Sequence, residues 1–271
     1  MKNSRSNMTV SLILSTYNRP QALFHVLESV KSQTILPFEV IIADDGSGPE
    51  TAALITQMQT NFPVPLIHSW QEDLGFRQAA NKNRAAANAK GNYFIFVDGD
   101  LVMHPCFIQD NIRMAAPGQF IVNSRVMLDE KTTNEIYRNN RFALSFFQLM
   151  KQKNFKNGFR LPWLSRIIPS KQHYKPCRGG LMAIWRDDFL AVNGLNEDFV
   201  GWGHEDTDLF IRIMNYRLKR RNNKFGGITY HLYHSTENMS AANKNKDMAA
   251  LLVGSVEYFT QNGINKYETV N

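Results

Sequence analysis

Three mainly apolar runs divide the first hundred residues of the chain. They occupy residues 10–14, 40–43 and 93–97, and polar residues bound each run. Short apolar runs between turn residues predict strands that are buried on both faces, as in a parallel sheet.

Helical patterns separate these runs. After Pro20, which favours a helix start, apolar residues recur at the i, i+3, i+4, i+7 spacing of an amphipathic helix. Residues 49–61 and the alanine-rich residues 78–89 predict two more helices. The order strand, helix, strand, helix, helix, strand predicts an α/β fold. We expect a mostly parallel central sheet flanked by helices, with a ligand site at the carboxyl ends of its strands.

Polar turns follow all three predicted strands. They are residues 15–19, 44–47 and 98–100, and we expect them to line one crevice because carboxyl ends of parallel strands share an edge of the sheet. The first turn lacks the Gly-x-Gly-x-x-Gly pattern, and the sequence contains no Gly-Lys-Ser/Thr motif. These absences argue against a dinucleotide cradle and a P-loop.

Two groups of residues could bind a metal ion. Asp98 and Asp100 offer hard oxygen ligands that suit Mg²⁺ or Mn²⁺, although Asp-Gly-Asp is also an ordinary turn sequence. His231 and His234 follow a short β-like segment, so they could supply imidazoles to the same ion or be structural histidines. The residues alone leave both alternatives open.

A tryptophan between two glycines precedes a cluster of acids and a predicted helix over residues 209–218. Trp202 is the tryptophan, and Glu205, Asp206 and Asp208 are the acids. The helix dipole stabilises each acid at its N-terminus by about 0.3–1 kcal/mol, which accounts for the acids but not for the Gly-Trp-Gly sequence. An indole face beside carboxylates also suits sugar binding, because sugars stack on aromatic rings and bond to acids through their hydroxyls.

Composition places the chain among folded globular proteins, with 271 residues of which 43% are hydrophobic and 20% charged. Two cysteines are too few for a disulfide framework. No apolar stretch approaches the roughly 18 residues of a membrane span. The apolar run after the N-terminus is too short for a signal peptide, so we expect a cytoplasmic protein.

The net charge of +7 is concentrated in one segment. Residues 131–175 hold ten Lys or Arg and one acid, Glu135, interleaved with large apolar residues such as Phe159 and Trp163. The pattern fits a peripheral contact with an anionic membrane, or apolar residues that fill the core beside solvated lysines. The isoelectric point of about 9.4 would suit a nucleic-acid-binding protein, but the sequence has no helix-turn-helix, zinc or RNA-binding motif. We therefore expect no nucleic-acid partner.

Taken together, these motifs resemble a known family of enzymes. The first half resembles inverting family 2 glycosyltransferases of the GT-A fold, whose Asp-x-Asp motif corresponds to residues 98–100. The second half resembles the catalytic end of β-1,4-galactosyltransferases and bacterial chondroitin-type polymerases. The motifs that carry the resemblance are residues 15–20, 43–47, 73–77, 82–83 and 98–100 in the first half, and residues 178–180 and 201–208 in the second.

The resemblance implies a metal-dependent glycosyltransferase that uses a UDP-sugar donor. A hexose or N-acetylhexosamine would move to a hydroxyl of a glycan or lipid-linked glycan in bacterial surface polysaccharide or lipopolysaccharide synthesis. Residues 1–105 would form the nucleotide-sugar-binding half, residues 106–235 the acceptor and catalytic half of the same domain, and residues 236–271 a C-terminal tail. The alternative is a catalytically silent subunit that binds nucleotide sugars.

The same resemblance implies roles for individual residues. Asp206 would be the catalytic base, and Trp202 and Glu205 would bind the acceptor. Mn²⁺ (or Mg²⁺) would be held by Asp100 and His234, with His231 at a position where the galactosyltransferases use methionine. The donor would be bound by Ser15 or Thr16 and Asp45 at the uridine, Arg77 at phosphate or base, Asp98 at ribose or metal-bound water, and Gly180 beside the sugar.

Overall fold

The computed structural model describes residues 7–170, 172–175, 180–235 and 242–267. Cys177 and residues 178–179 of the motif at 178–180 lie outside the described residues. The strands are β1 (Val10–Thr16), β2 (Glu39–Asp44), β3 (Leu66–Trp70), β4 (Tyr93–Asp98), β5 (Leu101–Met103), β6 (Gln119–Val122), β7 (Ser124–Met127), β8 (Leu181–Trp185), β9 (Lys219–Asn222) and β10 (Ile228–His231).

Helices connect most of these strands. Pro20 begins the first helix as predicted, and the two predicted helices that follow are also present. The helices are α1 (Pro20–Lys31), α2 (Pro49–Gln59), α3 (Gln78–Ala87), α4 (Phe107–Met114), α5 (Glu130–Asn139), α6 (Phe146–Met150), α7 (Pro162–Ile167), α8 (Arg186–Ala191), α9 (Glu205–Asn215) and α10 (Ala242–Leu251).

Seven strands form the central sheet in the order β3-β2-β1-β4-β8-β6-β9. The pairs β3–β2, β2–β1, β1–β4 and β6–β9 are parallel, whereas β8 runs antiparallel to β4 and β6. This mixed α/β architecture, with a mostly parallel sheet between helices, confirms the predicted fold class. A smaller sheet, β5-β10-β7, lies beside it.

Alternate residues of the central strands pack on opposite faces of the sheet. Leu12 and Leu14 of β1 belong to one buried cluster, which also contains α1 and the small sheet. Ile13 belongs to a second buried cluster with residues of α3, α8 and α9. Both faces of the sheet are therefore covered, and its open edge at the carboxyl strand ends is where polar residues gather.

Strand register brings the predicted polar turns together. Ser15 of β1 is paired with Asp98 of β4, and Thr16 is paired with Asp44 of β2. The turns after β1, β2 and β4 therefore lie side by side, which confirms the predicted crevice.

Several strands were not predicted, and their residues explain why. β3 is an edge strand in which His68 and Trp70 are partly exposed, so no continuous apolar run marks it. β9 has the sequence Lys-Arg-Arg-Asn at the opposite edge of the sheet. β5 and β7 of the small sheet have only three or four residues each, too few for a periodic pattern. β10, by contrast, coincides with the β-like segment predicted before His231.

The basic segment contains both apolar residues that pack against the core and apolar residues that are exposed. Phe155 and Phe159 pack against the core, as the core-filling interpretation expected. Phe147, Trp163 and Ile167 are exposed. In the part of the chain that the structure describes, no helix has the length and hydropathy that crossing a bilayer requires.

Candidate active site

Residues 98–100 turn sharply between β4 and β5, and two glycines make the turn fit. A Cβ atom on Gly99 would lie 2.5 Å from the carbonyl oxygen of Ser15. A Cβ atom on Gly180 would lie 1.8 Å from Oδ2 of Asp98. Both positions therefore require glycine, and Gly180 lies directly against the Asp98 carboxylate.

Asp100 lies within a cluster of two imidazoles. Its Oδ2 atom is 3.1 Å from Nε2 of His234 and 3.5 Å from Nε2 of His231. One potential ligand atom from each residue lies within 4.8 Å of the others. The small sheet creates this proximity, because His231 ends β10 and is paired with Leu101, the residue that follows Asp100.

The electrostatics of the Asp100 cluster favour an ionised carboxylate. Burial alone would raise the pKa of Asp100, but the His234 hydrogen bond and the charges of both histidines and Arg19 outweigh it and lower the pKa. The bond to Asp100 raises the pKa of His234, whereas burial lowers the pKa of His231.

The Asp100 cluster fits a divalent metal ion. Oδ1 of Asp100 is buried and has no hydrogen-bond partner, so this oxygen is available as a metal ligand. One carboxylate and two imidazoles form a mixed oxygen and nitrogen donor set, which suits Mn²⁺ better than Mg²⁺. The predicted metal residues Asp100, His231 and His234 are thus brought together.

Asp98, two residues earlier, has a different environment. Its Oδ1 atom accepts a hydrogen bond of 3.0 Å from Oγ of Ser15 and lies 3.3 Å from Nζ of Lys82. The Lys82 side chain, on α3, is 5% exposed. Gln78, one helical turn earlier, connects this group to α9, since the amide orientation that satisfies its neighbours donates to Glu205 Oε1 at 3.0 Å and accepts from Lys82 Nζ.

The acids predicted at the start of α9 have separate environments. Asp208 is buried against Arg212, with 2.6 Å between Oδ2 and a guanidinium nitrogen, so it is a structural ion pair. Glu205 is buried and Asp206 is half-buried. Burial, followed by the charge of Asp206, raises the pKa of Glu205 to about 7, and the charge of Asp98 acts in the same direction. The start of α9 therefore lies within electrostatic reach of the Asp98 group.

His204, whose role the sequence left open, begins α9. Its backbone is left-handed, with φ of 72°, and its carbonyl accepts the first helical hydrogen bond from the Asp208 N–H. Non-glycine residues adopt this conformation infrequently, although histidine does so more often than most.

A second group of predicted residues lies at the end of β2. Asp45 accepts hydrogen bonds from the Arg77 N–H at 2.9 Å and from the Gln71 amide, and burial raises its pKa. The guanidinium of Arg77 instead donates to the carbonyl of Glu72. Thr16 contributes a buried hydroxyl without a hydrogen-bond partner. Asp45 and Thr16 are thus neighbours through the strand register, and Arg77 joins them through its backbone.

The Gly-Trp-Gly loop faces solvent beside this group. Gly201 and Gly203 have φ of 84° and 94°, a backbone that favours glycine. Trp202 is 45% exposed. The Gly201 N–H donates to the carbonyl of Phe76 at 2.8 Å, which ties the loop to residues 71–77.

Three residues of this site were given no role from the sequence, although two of them, Arg19 and Lys82, lie in motifs that carry the resemblance. Lys82 and Gln78 lie on an alanine-rich helix, and Arg19 lies 3.7 Å from Oδ2 of Asp100. The spacing of Lys82 from Ala79 and Ala86, three before and four after, is the signal that it shares their inward face.

Comparison with known proteins places this geometry in a family. Residues 11–172 match the family model described as glycosyl transferase family 2, and residues 166–235 match one described as the N-terminal domain of galactosyltransferase. The chain is 27% identical to chondroitin synthase of Escherichia coli, over 92% of this chain and 39% of that protein. It is also 27% identical to validoxylamine A glucosyltransferase of Streptomyces hygroscopicus subsp. limoneus, over 75% of this chain and 47% of that protein.

A solved structure shares the fold. The crystal structure of GalNAc-T7 with UDP, GalNAc and Mn²⁺ superposes with a TM-score of 0.64, covering 92% of this chain and 48% of that chain at 17% identity. This likeness confirms the GT-A fold. The chain spans about half or less of the length of these relatives.

Proposed function

The chain belongs to glycosyl transferase family 2 and is a glycosyltransferase, and we propose that it is a metal-dependent inverting enzyme that uses a UDP-sugar. We further propose transfer of a hexose or N-acetylhexosamine to a hydroxyl of a glycan or lipid-linked glycan in bacterial surface polysaccharide or lipopolysaccharide synthesis. The relatives named above support a sugar substrate. The UDP and Mn²⁺ bound in the GalNAc-T7 structure support the proposed nucleotide and ion.

One observation carries this proposal. The Asp100 cluster, the Asp98 group and the acids of α9 gather around the carboxyl ends of β1 and β4. Asp100, His231 and His234 would hold the ion. When bound, a divalent ion supplies positive charge that neutralises the negative charge developing on a leaving diphosphate.

The chain's own residues supply the proton transfer. We assign Asp206 as the base that accepts the proton of the acceptor hydroxyl while that oxygen forms a bond to the anomeric carbon. The bond from this carbon to the diphosphate oxygen breaks in the same displacement, and its electron pair leaves with the diphosphate. One displacement from the opposite side inverts the configuration.

Neighbouring residues would position the two substrates. Glu205, with a pKa of about 7, can donate or accept a hydrogen bond at an acceptor hydroxyl near neutral pH. The exposed indole of Trp202 offers a face on which a sugar ring stacks. At the donor, Asp45 and Thr16 would contact the uridine, and the absence of a side chain at Gly180 leaves the Asp98 carboxylate accessible.

The experiment that tests the activity measures UDP released from a panel of UDP-sugars in the presence of Mn²⁺. We expect slow donor hydrolysis with one hexose or N-acetylhexosamine donor, and faster release when a glycan acceptor is added. Release from no donor, combined with a thermal shift on UDP binding, would favour the catalytically silent subunit instead.

The base assignment is tested with Asp206→Asn. We expect transfer to fall about 10²–10⁴-fold while the thermal shift caused by the donor is retained. Asp187→Asn changes an exposed acid in the first turn of α8 and is the matched control, with unchanged activity. Near-normal transfer by Asp206→Asn would contradict the assignment.

A further inference from the structure

Five large apolar side chains are exposed on α6 and α7, two short helices within the basic segment of residues 131–175. On α6, Phe146 is 58% and Phe147 79% exposed, and Met150 is also exposed. On α7, Trp163 is 66% and Ile167 69% exposed. We call these five residues the α6–α7 face.

Local structure holds these side chains outward. A capping box between Ser145 and Gln148 fixes the start of α6, and Leu149 is buried in the core. Phe147, two residues before Leu149, lies on the opposite side of the helix and faces solvent. Phe146, three residues before Leu149, is also exposed. Its ring contacts those of Phe147 and Phe159, with centroid distances of 5.8 and 6.1 Å.

On α7, Trp163 and Ile167 are four residues apart and share one side of the helix. The ring of Phe146 contacts that of Phe159, and Trp163 follows Phe159 by four residues in the chain. The apolar groups of the face therefore come from one short stretch of chain and not from scattered surface positions.

Positive charge surrounds the α6–α7 face. Lys151, Lys153 and Lys156 follow α6 directly and are exposed. Within the described residues, none of these three lysines has a carboxylate at salt-bridge distance. Arg160, by contrast, is neutralised by Asp110 at 2.7 Å. The lysines therefore present uncompensated charge beside the exposed rings.

From this combination we propose that the α6–α7 face docks the enzyme on the surface of an anionic lipid bilayer. Met150 and Ile167 have neither an aromatic ring nor a strong hydrogen-bonding group, so a glycan or a nucleic acid would leave these two side chains without suitable partners. A bilayer accommodates both components, because the apolar side chains enter the boundary below the headgroups and the lysines lie among anionic headgroups.

The position of this face gives it a functional consequence. A β-bridge joins Lys153 to Met127 of β7, and the Asn157 amide donates to the carbonyl of Arg125 in the same strand. β7 pairs with β10, which carries His231. The face is thus fixed to the small sheet of the catalytic site. This deepens the proposed function by favouring a lipid-linked acceptor, but the docking itself rests on the surface alone.

The test is flotation of the full chain with vesicles of phosphatidylcholine, alone or with phosphatidylglycerol. We expect binding to the anionic vesicles at low salt, weaker binding at high salt, and little binding to the neutral ones. Phe147→Ser should weaken binding about tenfold or more. Lys151→Gln, Lys153→Gln and Lys156→Gln together should weaken it about a hundredfold, at about 1 kcal/mol for each lysine.

Matched controls come from other exposed positions. Val256→Ser removes an apolar side chain that is 86% exposed, and Lys90→Gln, Lys244→Gln and Lys246→Gln together remove the same number of exposed charges. We expect both control variants to bind like the unmodified protein. Melting temperature and transfer to a soluble acceptor should be unchanged in every variant, so these readouts separate failed docking from failed folding or a wrong proposed function.

Three results would overturn the proposal. They are no binding to anionic vesicles at low salt, equal losses in the test and control lysine variants, and binding that survives Phe147→Ser but is displaced by a soluble anionic polysaccharide. The last result would instead identify the face as a glycan site.

Discussion

Asp98 and Asp100 lie on one turn, two residues apart, yet they have opposite surroundings. Asp98 lies beside the buried ammonium group of Lys82, at 3.3 Å, and accepts a hydrogen bond from Ser15. Asp100 faces two imidazoles and retains a buried oxygen without a partner. Lysine neutralises its carboxylate within the fold, whereas imidazoles can themselves ligate a metal ion. The role of each acid thus depends on its neighbours and not on its place in the Asp-x-Asp motif.

Of the variants that test this comparison, Asp100→Ala should have the largest effect, on transfer and on Mn²⁺ binding. It removes the carboxylate ligand of the Asp100 cluster, so we expect transfer to fall at least about a hundredfold and the thermal shift caused by Mn²⁺ to disappear. Asp98→Asn is the comparison variant and should retain most of the Mn²⁺ shift. Equal loss of the shift in both variants would show that the two acids act as one metal site.

Lys82→Met should have the next largest effect, and it should lower the stability of the fold. Asp98 then loses its cation while remaining in place, and we expect the free energy of unfolding to fall by about 1–3 kcal/mol. The loss is limited because Asp98 is 29% exposed and solvent screens part of its charge. Lys90→Met, at an exposed lysine just after α3, is the control in urea unfolding. Equal stability of the two variants would contradict a neutralising role for Lys82.

Glu205→Gln should have an effect on stability whose size depends on pH and is smallest in acid. The pKa of Glu205 is about 7 in the folded protein against an ordinary 4.5, so the unfolded chain releases this proton at lower pH. The native protein therefore loses stability as pH rises from about 4.5 to 7, whereas the glutamine variant does not.

The resulting difference is measurable by urea unfolding across a pH series. Above pH 7 we expect Glu205→Gln to be more stable than the native protein, by on the order of 2 kcal/mol, and the difference should vanish near pH 4.5. Glu50→Gln, at an exposed acid of α2, should follow the native curve. Parallel curves for Glu205→Gln and the native protein would exclude a raised Glu205 pKa.

The central strands and their helices were predictable because their buried positions carry apolar residues in a regular pattern. β1, β2 and β4 are buried on both faces, and a continuous apolar run follows from that. Edge strands such as β3 and β9 keep polar or charged residues, and the short strands β5 and β7 of the small sheet are stabilised by tertiary pairing. Local pattern therefore could not reveal them.

The site was predictable to the extent that it lies at strand ends. Asp98 and Asp100 followed from that rule, whereas the spacing of His231 and His234 left two alternatives until β10 placed His231 beside β5. Lys82 was missed because a lysine in a helix is ordinarily solvated. Its burial depends on the carboxylate that the fold brings to it, which no local pattern records.

The hydrogen bond from Gly201 to Phe76 joins two stretches of backbone that come from opposite halves of the chain. Any displacement of residues 71–77 to admit a nucleotide must either carry Gly201, and with it the neighbouring indole, or give up that bond. This bond therefore couples the position of the indole-bearing loop to that of residues 71–77.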